Sequence, residues 1–321
     1  MIKMLVAALL VVAVLVPAHA ATPLHVIFDT DMGNDVDDAL ALAMLHAFAS
    51  RGEVKLLAVT VSKDNPWAAE YVRLVNQYYG RGSIPVGIVH DGKTPEDGKY
   101  VRQVCELHHL RPNPAAVSDA VKLLRKTLAA EPDGAVYLLQ VGFSTNLARL
   151  IDSPPDAYSP LNGMDLVSKK VHELTIMGGN FGPNPKPEYN IMTDIPAAAH
   201  LFAKWPTNIY ISGFEVGAGI LYPAYSIEHD FPPGNPVAEA YKDYMKMPYD
   251  RPSWDLTTVV YDLRPDRGYF DLSPPGNVTV GSDGSTTFHP DPNGKRYFLK
   301  DNTIQAARVR EVCIWLASQP K

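Results

Sequence analysis

The chain has 321 residues, of which 46% are hydrophobic, and its net charge is −6 at pH 7. A chain of this size can bury a large core in one big α/β domain or in two smaller ones. The acidic balance and the lack of any basic run exclude a nucleic-acid polymer as the expected partner. Its two cysteines, Cys105 and Cys313, offer no zinc-binding spacing, and the sequence leaves open whether they pair.

The first twenty residues are predicted to be a signal peptide, not part of the fold. Lys3 gives a positive start, Met4–Val16 is an uninterrupted apolar run, and Pro17–Ala20 ends in a small-x-small cleavage pattern. The run is too short for a good membrane span. No cysteine stands directly after the cleavage pattern, so a lipid anchor is not expected. Residues 21–321 are therefore expected to form an exported domain, periplasmic or secreted and free of the membrane.

Strand and helix patterns then alternate along the chain. Apolar, β-branched runs predict strands at Leu24–Phe28, Val54–Val61, Ile84–Val89, Ala135–Gln140, Val171–Met177 and Asn208–Ser212. Helical periodicity is found at Ala39–Phe48, Pro66–Tyr79, Ala115–Ala130 (with Ser118 near its start), Asn146–Ile151, Ile195–Ala203 and Thr303–Ala317. This alternation predicts an α/β fold, a single large open sheet of mostly parallel strands with a Rossmann-like core and flanking helices.

The segment from about Pro265 to Leu299 departs from the alternation. It is rich in Gly, Pro and Asp, and it contains two short alternating pieces, Asn277–Val280 and Thr286–His289. This pattern predicts a hairpin-like insertion before the last helix. No internal repeat occurs, and no linker is long enough to separate two domains.

An acidic run joins the first predicted strand to the first helix. Five carboxylates fall within ten residues, at Asp29, Asp31, Asp35, Asp37 and Asp38. In open α/β sheets, ligands bind at the carboxyl ends of the strands. Crowded like charges are unfavourable unless a cation lies among them, and ligands that are all oxygen favour Ca²⁺ or Mg²⁺ over zinc. Helix capping is the alternative interpretation, but it accounts for only one or two of the five.

Four later segments also have polar residues at predicted strand ends. They are Lys63–Asn65, Ser144–Asn146, Glu188–Asn190 and Trp254-Asp255. Each alone is explained equally well as a helix cap or a turn. The acidic run by itself also resembles the haloacid-dehalogenase phosphatases, which use the first Asp as nucleophile and Mg²⁺ as cofactor.

Taken together, the acidic run and the four segments resemble the inosine-uridine-preferring nucleoside hydrolases, which are Ca²⁺-dependent N-ribohydrolases. The resemblance spans nearly the whole chain after the signal peptide, whereas the phosphatase alternative explains none of the later segments. It implies an active site at the carboxyl ends of the strands and hydrolysis of ribonucleosides to free base and ribose. Members are commonly dimers or tetramers, so a homodimer or homotetramer is implied here.

The resemblance also implies roles for particular residues. Ca²⁺ would be held by Asp31, Asp38, Asp255 and the backbone carbonyl of Thr145, and Asp31 would take a proton from a Ca²⁺-bound water. The implied substrate-binding residues are Asp37, Asn65, Met177, Asn184, Glu188, Asn190 and Trp254.

The chain departs from the family pattern at two places. Asp35-Val36 precede the paired Asp37-Asp38, which we interpret as a two-residue insertion, because the alternative register would place Val36 at a metal-ligand position. Trp254 stands where many members have a histidine that protonates the leaving base, and indole cannot deliver a proton at neutral pH. Two further hypotheses therefore remain open, a nucleoside-binding protein without catalysis and a hydrolase of another ribosyl or glycosyl compound.

Overall fold

An eleven-stranded sheet lies at the centre of the structure, a computed structural model that describes residues 22–320. The predicted signal peptide, residues 1–20, lies outside the described residues. No helix within 22–320 is both long and apolar enough to cross a bilayer. In chain order the strands are β1 (Leu24–Thr30), β2 (Val54–Lys63), β3 (Val86–Lys93), β4 (Ser118–Asp119), β5 (Val136–Gln140), β6 (Val171–Met177), β7 (Asn208–Ser212), β8 (Leu221–Tyr222), β9 (Arg251–Pro252), β10 (Asp271–Leu272), β11 (Gly276–Val280), β12 (Thr286–Pro290) and β13 (Arg296–Lys300).

Helices connect most of the strands. They are α1 (Asp37–Ser50), α2 (Pro66–Tyr78), α3 (Val101–Leu107), α4 (Ala120–Ala130), α5 (Thr145–Ile151), α6 (Gly163–Lys170), α7 (Tyr189–Thr193), α8 (Ile195–Lys204), α9 (Phe214–Ala218), α10 (Ala224–His229), α11 (Pro236–Tyr244), α12 (Trp254–Leu263) and α13 (Thr303–Ala317). Short 3₁₀ turns occupy Pro114–Ala116 and Pro265–Arg267.

The sheet is open and mostly parallel. Its order is β12-β11-β13-β7-β6-β5-β1-β2-β3-β4, with β10 paired to β13 outside this path. All pairs from β13 to β4 are parallel, whereas β11 runs antiparallel to both β12 and β13. Strands β8 and β9 form a separate antiparallel pair. The predicted α/β class with a Rossmann-like parallel core is confirmed.

Two apolar clusters cover the two faces of the sheet. Residues of α1, α2, α3, α11, α12 and α13 form the larger one, and residues of α4, α5, α6 and α8 form the other. Helix α1 is buried from Asp37 to Phe48, because it packs against both α12 and α13. The carboxylates that begin this helix are therefore held inside the protein.

One predicted helix begins later than expected. The periodicity predicted Ala115–Ala130, but Ser118 pairs with Gly87 as part of β4, and the helix begins at Ala120. Asp119 is its N-cap and accepts the backbone N–H of Lys122 at 2.9 Å. The correct start signal was thus the acidic residue after Ser118. By contrast, β6, β7 and α13 have the predicted bounds.

The predicted hairpin is present as β11 and β12 at one edge of the sheet. The hydroxyl of Thr286 accepts the backbone N–H of Asn180 at 3.0 Å, which ties the hairpin to the loop after β6. Cys105 in α3 and Cys313 in α13 are buried free thiols, so the two cysteines do not pair.

Candidate active site

A cavity of about 470 Å³ opens at the carboxyl ends of three adjacent central strands, β6, β5 and β1. Met177 ends β6, Val141 follows β5, and Asp31 follows β1, and all three residues line the cavity. The volume is within the range of small-molecule sites. The cavity thus lies at the carboxyl ends of the strands, where the sequence predicts the site, and Asp37, Asp38 and Asp255 line it.

The turn from β1 to α1 sets the register of the acidic run. The backbone N–H of Asn34 donates to Asp31 O at 3.2 Å, and Gly33 adopts φ +107°, a conformation that favours glycine. Tyr100 steadies the turn, since its hydroxyl accepts from Gly33 N at 2.9 Å and donates to Asp35 O at 2.7 Å. Helix α1 then begins at Asp37. Asp35 and Val36 therefore lie in the loop before the helix, and the insertion interpretation stays a prediction.

Asp37, Asp38 and Asp255 converge at the buried end of the cavity. One carboxylate oxygen from each lies within 4.8 Å of the others, and all three residues are buried. With Asp31 they form what we call the acidic cluster. Burial first, and then the neighbouring carboxylates, raise the pKa of Asp37, Asp38 and Asp255 well above the usual range. Four buried acids with no cation among them are an unfavourable arrangement, so the cluster fits a divalent cation.

Two hydrogen bonds orient the cluster. The hydroxyl of Thr30, the last residue of β1, donates to Asp38, and Asp37 Oδ2 accepts the backbone N–H of Asp255 at 3.0 Å. The first bond fixes α1 to β1, and the second fixes α1 to α12. Carboxylate oxygens that are already oriented are typical of sites for hard cations.

Asp31 has a different set of neighbours from the other three. Its Oδ2 accepts Asn34 Nδ2 at 2.8 Å, while no other residue within 22–320 donates to its Oδ1. Lys63 Nζ in turn donates to Asn34 Oδ1 at 2.9 Å, and so holds the amide in place. Burial raises the pKa of Asp31 to about 6, and Asn34 opposes this rise. Asp31 thus keeps one carboxylate oxygen without a donor from another residue, and burial favours its protonated form.

Three of the expected substrate residues form the wall beside the cluster. Glu188 caps α7 and accepts the backbone N–H groups of Gly179, Asn190 and Ile191 at 3.1, 2.8 and 3.2 Å. Burial raises the pKa of Glu188 to about 7, although these bonds lower it. Asn190 Nδ2 donates to Val141 O at 2.8 Å and to Met177 Sδ at 3.2 Å, which links the ends of β5 and β6. All of these groups lie within one cavity.

The structure does not bring Thr145 to the cavity. It is the first residue of α5, its hydroxyl donates to Asp194 at 2.5 Å, and it lines a separate surface hollow. Strand β5 ends at Gln140, so the loop residue at the sheet edge is Val141, four positions earlier. Val141, and not Thr145, lines the cavity.

Asn65 and Asn184 also lie away from the cavity. Asn65 caps α2 through Trp67 N at 2.9 Å, and its amide donates to Pro95 O and to Asp97. This is the capping alternative that the sequence left open. Asn184 is exposed in the loop before Pro187, and of residues 181–187 only Pro187 lines the cavity.

Trp254 borders the cavity, but its N–H group is already used. Nε1 donates to Phe214 O at 3.0 Å, and the two rings lie 5.4 Å apart. Gly217 permits this approach, because a Cβ there would lie 2.4 Å from Trp254 Cα. The indole is therefore a wall of the cavity and not a hydrogen-bond donor to a ligand.

Sequence reasoning missed several cavity residues. Arg251, Tyr244 and Asp35 line one side, and Arg251 forms an ion pair with Asp35. Tyr189, Met192 and Phe214 are 49%, 45% and 41% exposed and form an apolar rim at the cavity mouth. No strand or helix pattern in the sequence marks Arg251 as a cavity residue. The one available indication was its position three residues before Trp254.

The chain is similar in sequence to known nucleoside hydrolases. Residues 26–308 match the family described as inosine-uridine preferring nucleoside hydrolase. The non-specific ribonucleoside hydrolase RihC of Salmonella schwarzengrund is 28% identical over 64% of this chain and 66% of its own length, slightly under two thirds. The pyrimidine-specific ribonucleoside hydrolase RihA of Shewanella baltica is 27% identical over 75% of this chain and 78% of its own length.

Solved structures show the same fold. The plant nucleoside hydrolase PpNRh1 superposes with a TM-score of 0.70 at 20% identity, over 93% of this chain and all of that one. The inosine-uridine preferring nucleoside hydrolase of Bacillus anthracis gives 0.69 at 20% identity, over 92% and 99%. The type III effector XopQ, solved with adenosine diphosphate ribose, gives 0.69 at 19% identity, over 93% and 94%. The family match covers most of the sequence, and the chain belongs to the inosine-uridine preferring nucleoside hydrolase family of N-glycosyl hydrolases.

Proposed function

We propose that this protein hydrolyses the N-glycosidic bond of ribonucleosides, with Asp31 as the base that accepts a proton from the attacking water. The observation that carries this proposal is the position of Asp31. It lines the same cavity as the three converged carboxylates, and its Oδ1 accepts no hydrogen bond from another residue of the described chain. A water between Oδ1 and the sugar would be within reach of a proton acceptor whose pKa burial raises to about 6.

The acidic cluster is proposed to hold Ca²⁺. Asp31, Asp38 and Asp255 would supply carboxylate oxygens, and the carbonyl of Val141, instead of that of Thr145, would supply a fourth. All four donors are oxygen atoms, and they come from a loop, two helix starts and a strand end. Such a donor set suits Ca²⁺, whose coordination geometry is flexible. When bound, Ca²⁺ would polarise a water and help to fix the ribose hydroxyls.

The cavity wall is proposed to bind the ribose. Asp37, Glu188 and Asn190 offer polar atoms on two sides, and Met177 offers an apolar surface between them. Breaking an N-ribosidic bond passes through a transition state with positive charge on the sugar. Carboxylates already fixed around that position stabilise the charge without reorganising.

The relatives support a nucleoside substrate but differ in base preference. RihC is named as non-specific and RihA as pyrimidine-specific. The apolar rim formed by Tyr189, Met192 and Phe214 has few polar groups with which to choose among bases. We therefore propose a broad range of bases, held by contact with the rim.

A second candidate is a nucleoside-binding protein without catalysis. The observation that favours it is the engaged indole N–H of Trp254, which leaves no proton donor at that position. The open oxygen of Asp31 favours the hydrolase.

Release of reducing sugar from purine and pyrimidine nucleosides, with and without a chelator, tests the proposal. We expect ribose release that stops on chelation, returns with Ca²⁺ and is lost in Asp31→Asn. Binding of nucleosides without ribose release by the Ca²⁺-loaded protein would favour the second candidate. Activity that survives chelation would remove the metal from the mechanism.

A further inference from the structure

Arg251 is the one cationic side chain that lines the active-site cavity within residues 22–320. It lies in the short strand β9, three residues before Trp254, and its side chain is 21% exposed. No histidine, lysine or cysteine of the described chain lines this cavity. Any assistance to the departing base must therefore come from another kind of group.

The guanidinium is held rigidly on three sides. Nε donates to Asp35 Oδ1 at 3.0 Å, and Nη2 donates to the other oxygen of Asp35 and to Tyr244 Oη at 3.2 Å. The rings of Tyr244 and Trp254 lie 5.1 and 5.2 Å from its central carbon. A charged group fixed by a bidentate pair and two aromatic rings needs little reorganisation to act.

Part of the guanidinium has no protein partner. Of its five N–H groups, the three on Nε and Nη2 are used by Asp35 and Tyr244. The two N–H groups on Nη1 have no acceptor within the described chain. Because the guanidinium is planar, they lie on the edge of the group away from the Asp35 carboxylate. Arg251 thus lines the cavity with two N–H donors that the described chain does not use.

We propose that Arg251 binds the departing base through Nη1 and stabilises the negative charge that forms on it. This inference rests on the proposed hydrolase function. The bond between C1′ and the base nitrogen breaks, and its electron pair stays on the base. The water oxygen bonds to C1′ and gives its proton to Asp31. The base leaves as an anion paired with Arg251, and it takes a proton from solvent after release.

The cation takes the place of the acid that Trp254 cannot provide. An arginine remains protonated at all relevant pH values, so it acts by charge and hydrogen bonding and not by proton transfer. A fixed donor at a developing anion is worth about 10²–10³-fold in rate. Asp35, which the insertion adds to the acidic run, then has a role of its own as the residue that positions Arg251.

The test compares two leaving groups. Arg251→Met should lower kcat/KM for uridine and inosine by about 10²–10³-fold. For p-nitrophenyl riboside, whose leaving group is stable as an anion without help, the loss should be under about 3-fold, because a donor acts only on charge that needs stabilising. The kcat/KM of Arg251→Lys for uridine and inosine should lie between the values of the wild type and of Arg251→Met. Arg264→Met is the matched control, since Arg264 also pairs with a carboxylate and lies over an aromatic ring, but outside the cavity.

Equal losses on both kinds of substrate, or no loss on nucleosides, would overturn the inference. Rates for a series of substituted phenyl ribosides provide a second measurement. They should depend more steeply on leaving-group pKa in Arg251→Lys than in the wild type, and an unchanged slope would also overturn it. If the wild-type protein releases no ribose from any nucleoside, the proposed function itself fails, and this outcome is distinct from a variant that behaves like the wild type.

Discussion

Asp37 Oδ2 accepts the backbone N–H of Asp255 at 3.0 Å, although the two residues are 218 positions apart. The bond joins the first residue of α1 to the first turn of α12. Because Asp38 and Asp255 follow directly on these two helix starts, the bond also sets the spacing of the acidic cluster. The ion site and the packing of α1 against α12 are therefore one structural unit, and a change at either helix start should affect both.

We expect opposite effects of Asp255→Asn in the presence and absence of Ca²⁺. The metal-free variant should be at least as stable as the metal-free wild type, because one of four crowded acids is removed. It should lose most of the stabilisation by Ca²⁺, which for the wild type is about 2.7 kcal/mol at a hundred times Kd. Thermal unfolding with chelator and with Ca²⁺ measures both effects.

The control for these opposite effects of Asp255→Asn is Asp266→Asn, which removes an exposed carboxylate outside the cavity. It should keep the full Ca²⁺-induced rise in Tm. A wild-type Tm that does not respond to Ca²⁺ would contradict the proposed ion.

Asp31→Asn is expected to lower kcat by about 10²–10⁴-fold on nucleosides and on p-nitrophenyl riboside alike. The reason is that water activation is needed whatever the leaving group. Asp35→Asn should differ, because the Asp35 carboxylate pairs with Arg251 and is not a member of the acidic cluster. It should slow nucleoside cleavage while leaving the nitrophenyl substrate nearly unaffected. Steady-state kinetics on the two substrates separate these patterns, and identical profiles for the two variants would argue against their separate roles.

Much of the fold follows from local sequence pattern. Strand β6 and helix α13 have the predicted bounds, because apolar periodicity and capping residues such as Asn302 determine them locally. The start of α4 was misplaced, because Ser118 and Asp119 are both good capping residues. Only the pairing of Ser118 with Gly87 decides between them, and that pairing is tertiary.

The residues of the candidate site also fall into two groups, those that local sequence predicts and those that only tertiary contacts bring to the cavity. The acidic run lies on one strand-to-helix turn, so the sequence alone could predict that its carboxylates lie close together. Thr145 was expected from the resemblance alone, and only the structure shows that Val141, directly after β5, lines the cavity. Arg251 reaches the cavity by pairing with Asp35, 216 residues away, and no local pattern encodes that contact.

Gly217→Ala should disturb the start of α12. An added Cβ would lie 2.4 Å from Trp254 Cα, which is backbone and cannot rotate away. We expect a loss of about 1–3 kcal/mol in unfolding free energy, together with weaker Ca²⁺ binding as Asp255 is displaced. Urea unfolding and calorimetric titration measure the two effects.

Gly219→Ala is the matched control for this prediction. It lies two residues further on, with φ −83° and its nearest contact to a new Cβ at 3.7 Å. It should leave stability unchanged or slightly increased, because alanine restricts the unfolded chain. If the two variants behave alike, the close approach of α9 to α12 is not what restricts position 217.

His46 in α1 should make the protein less stable in acid, independently of the active site. The imidazole is fully buried, pairs with Asn76 at 2.9 Å and stacks on Tyr79 at 4.8 Å. Burial lowers its pKa from 6.5 to about 3. Between these values the unfolded chain holds a proton that the folded chain does not. The contribution of His46 is therefore complete above pH 6.5 and is lost as the pH falls toward 3, at up to about 1.4 kcal/mol per pH unit.

Urea unfolding of the wild type and of His46→Gln, at intervals from pH 7.5 to pH 4.5, measures this contribution as a difference in slope. Other titrating groups are common to both proteins and cancel in the difference. The wild type should lose stability more steeply than the variant below pH 6.5, whatever the offset caused by the altered packing. His229→Gln, which removes an exposed imidazole, controls for the loss of one histidine. Parallel curves for the wild type and His46→Gln would show that the buried imidazole accepts a proton without unfolding.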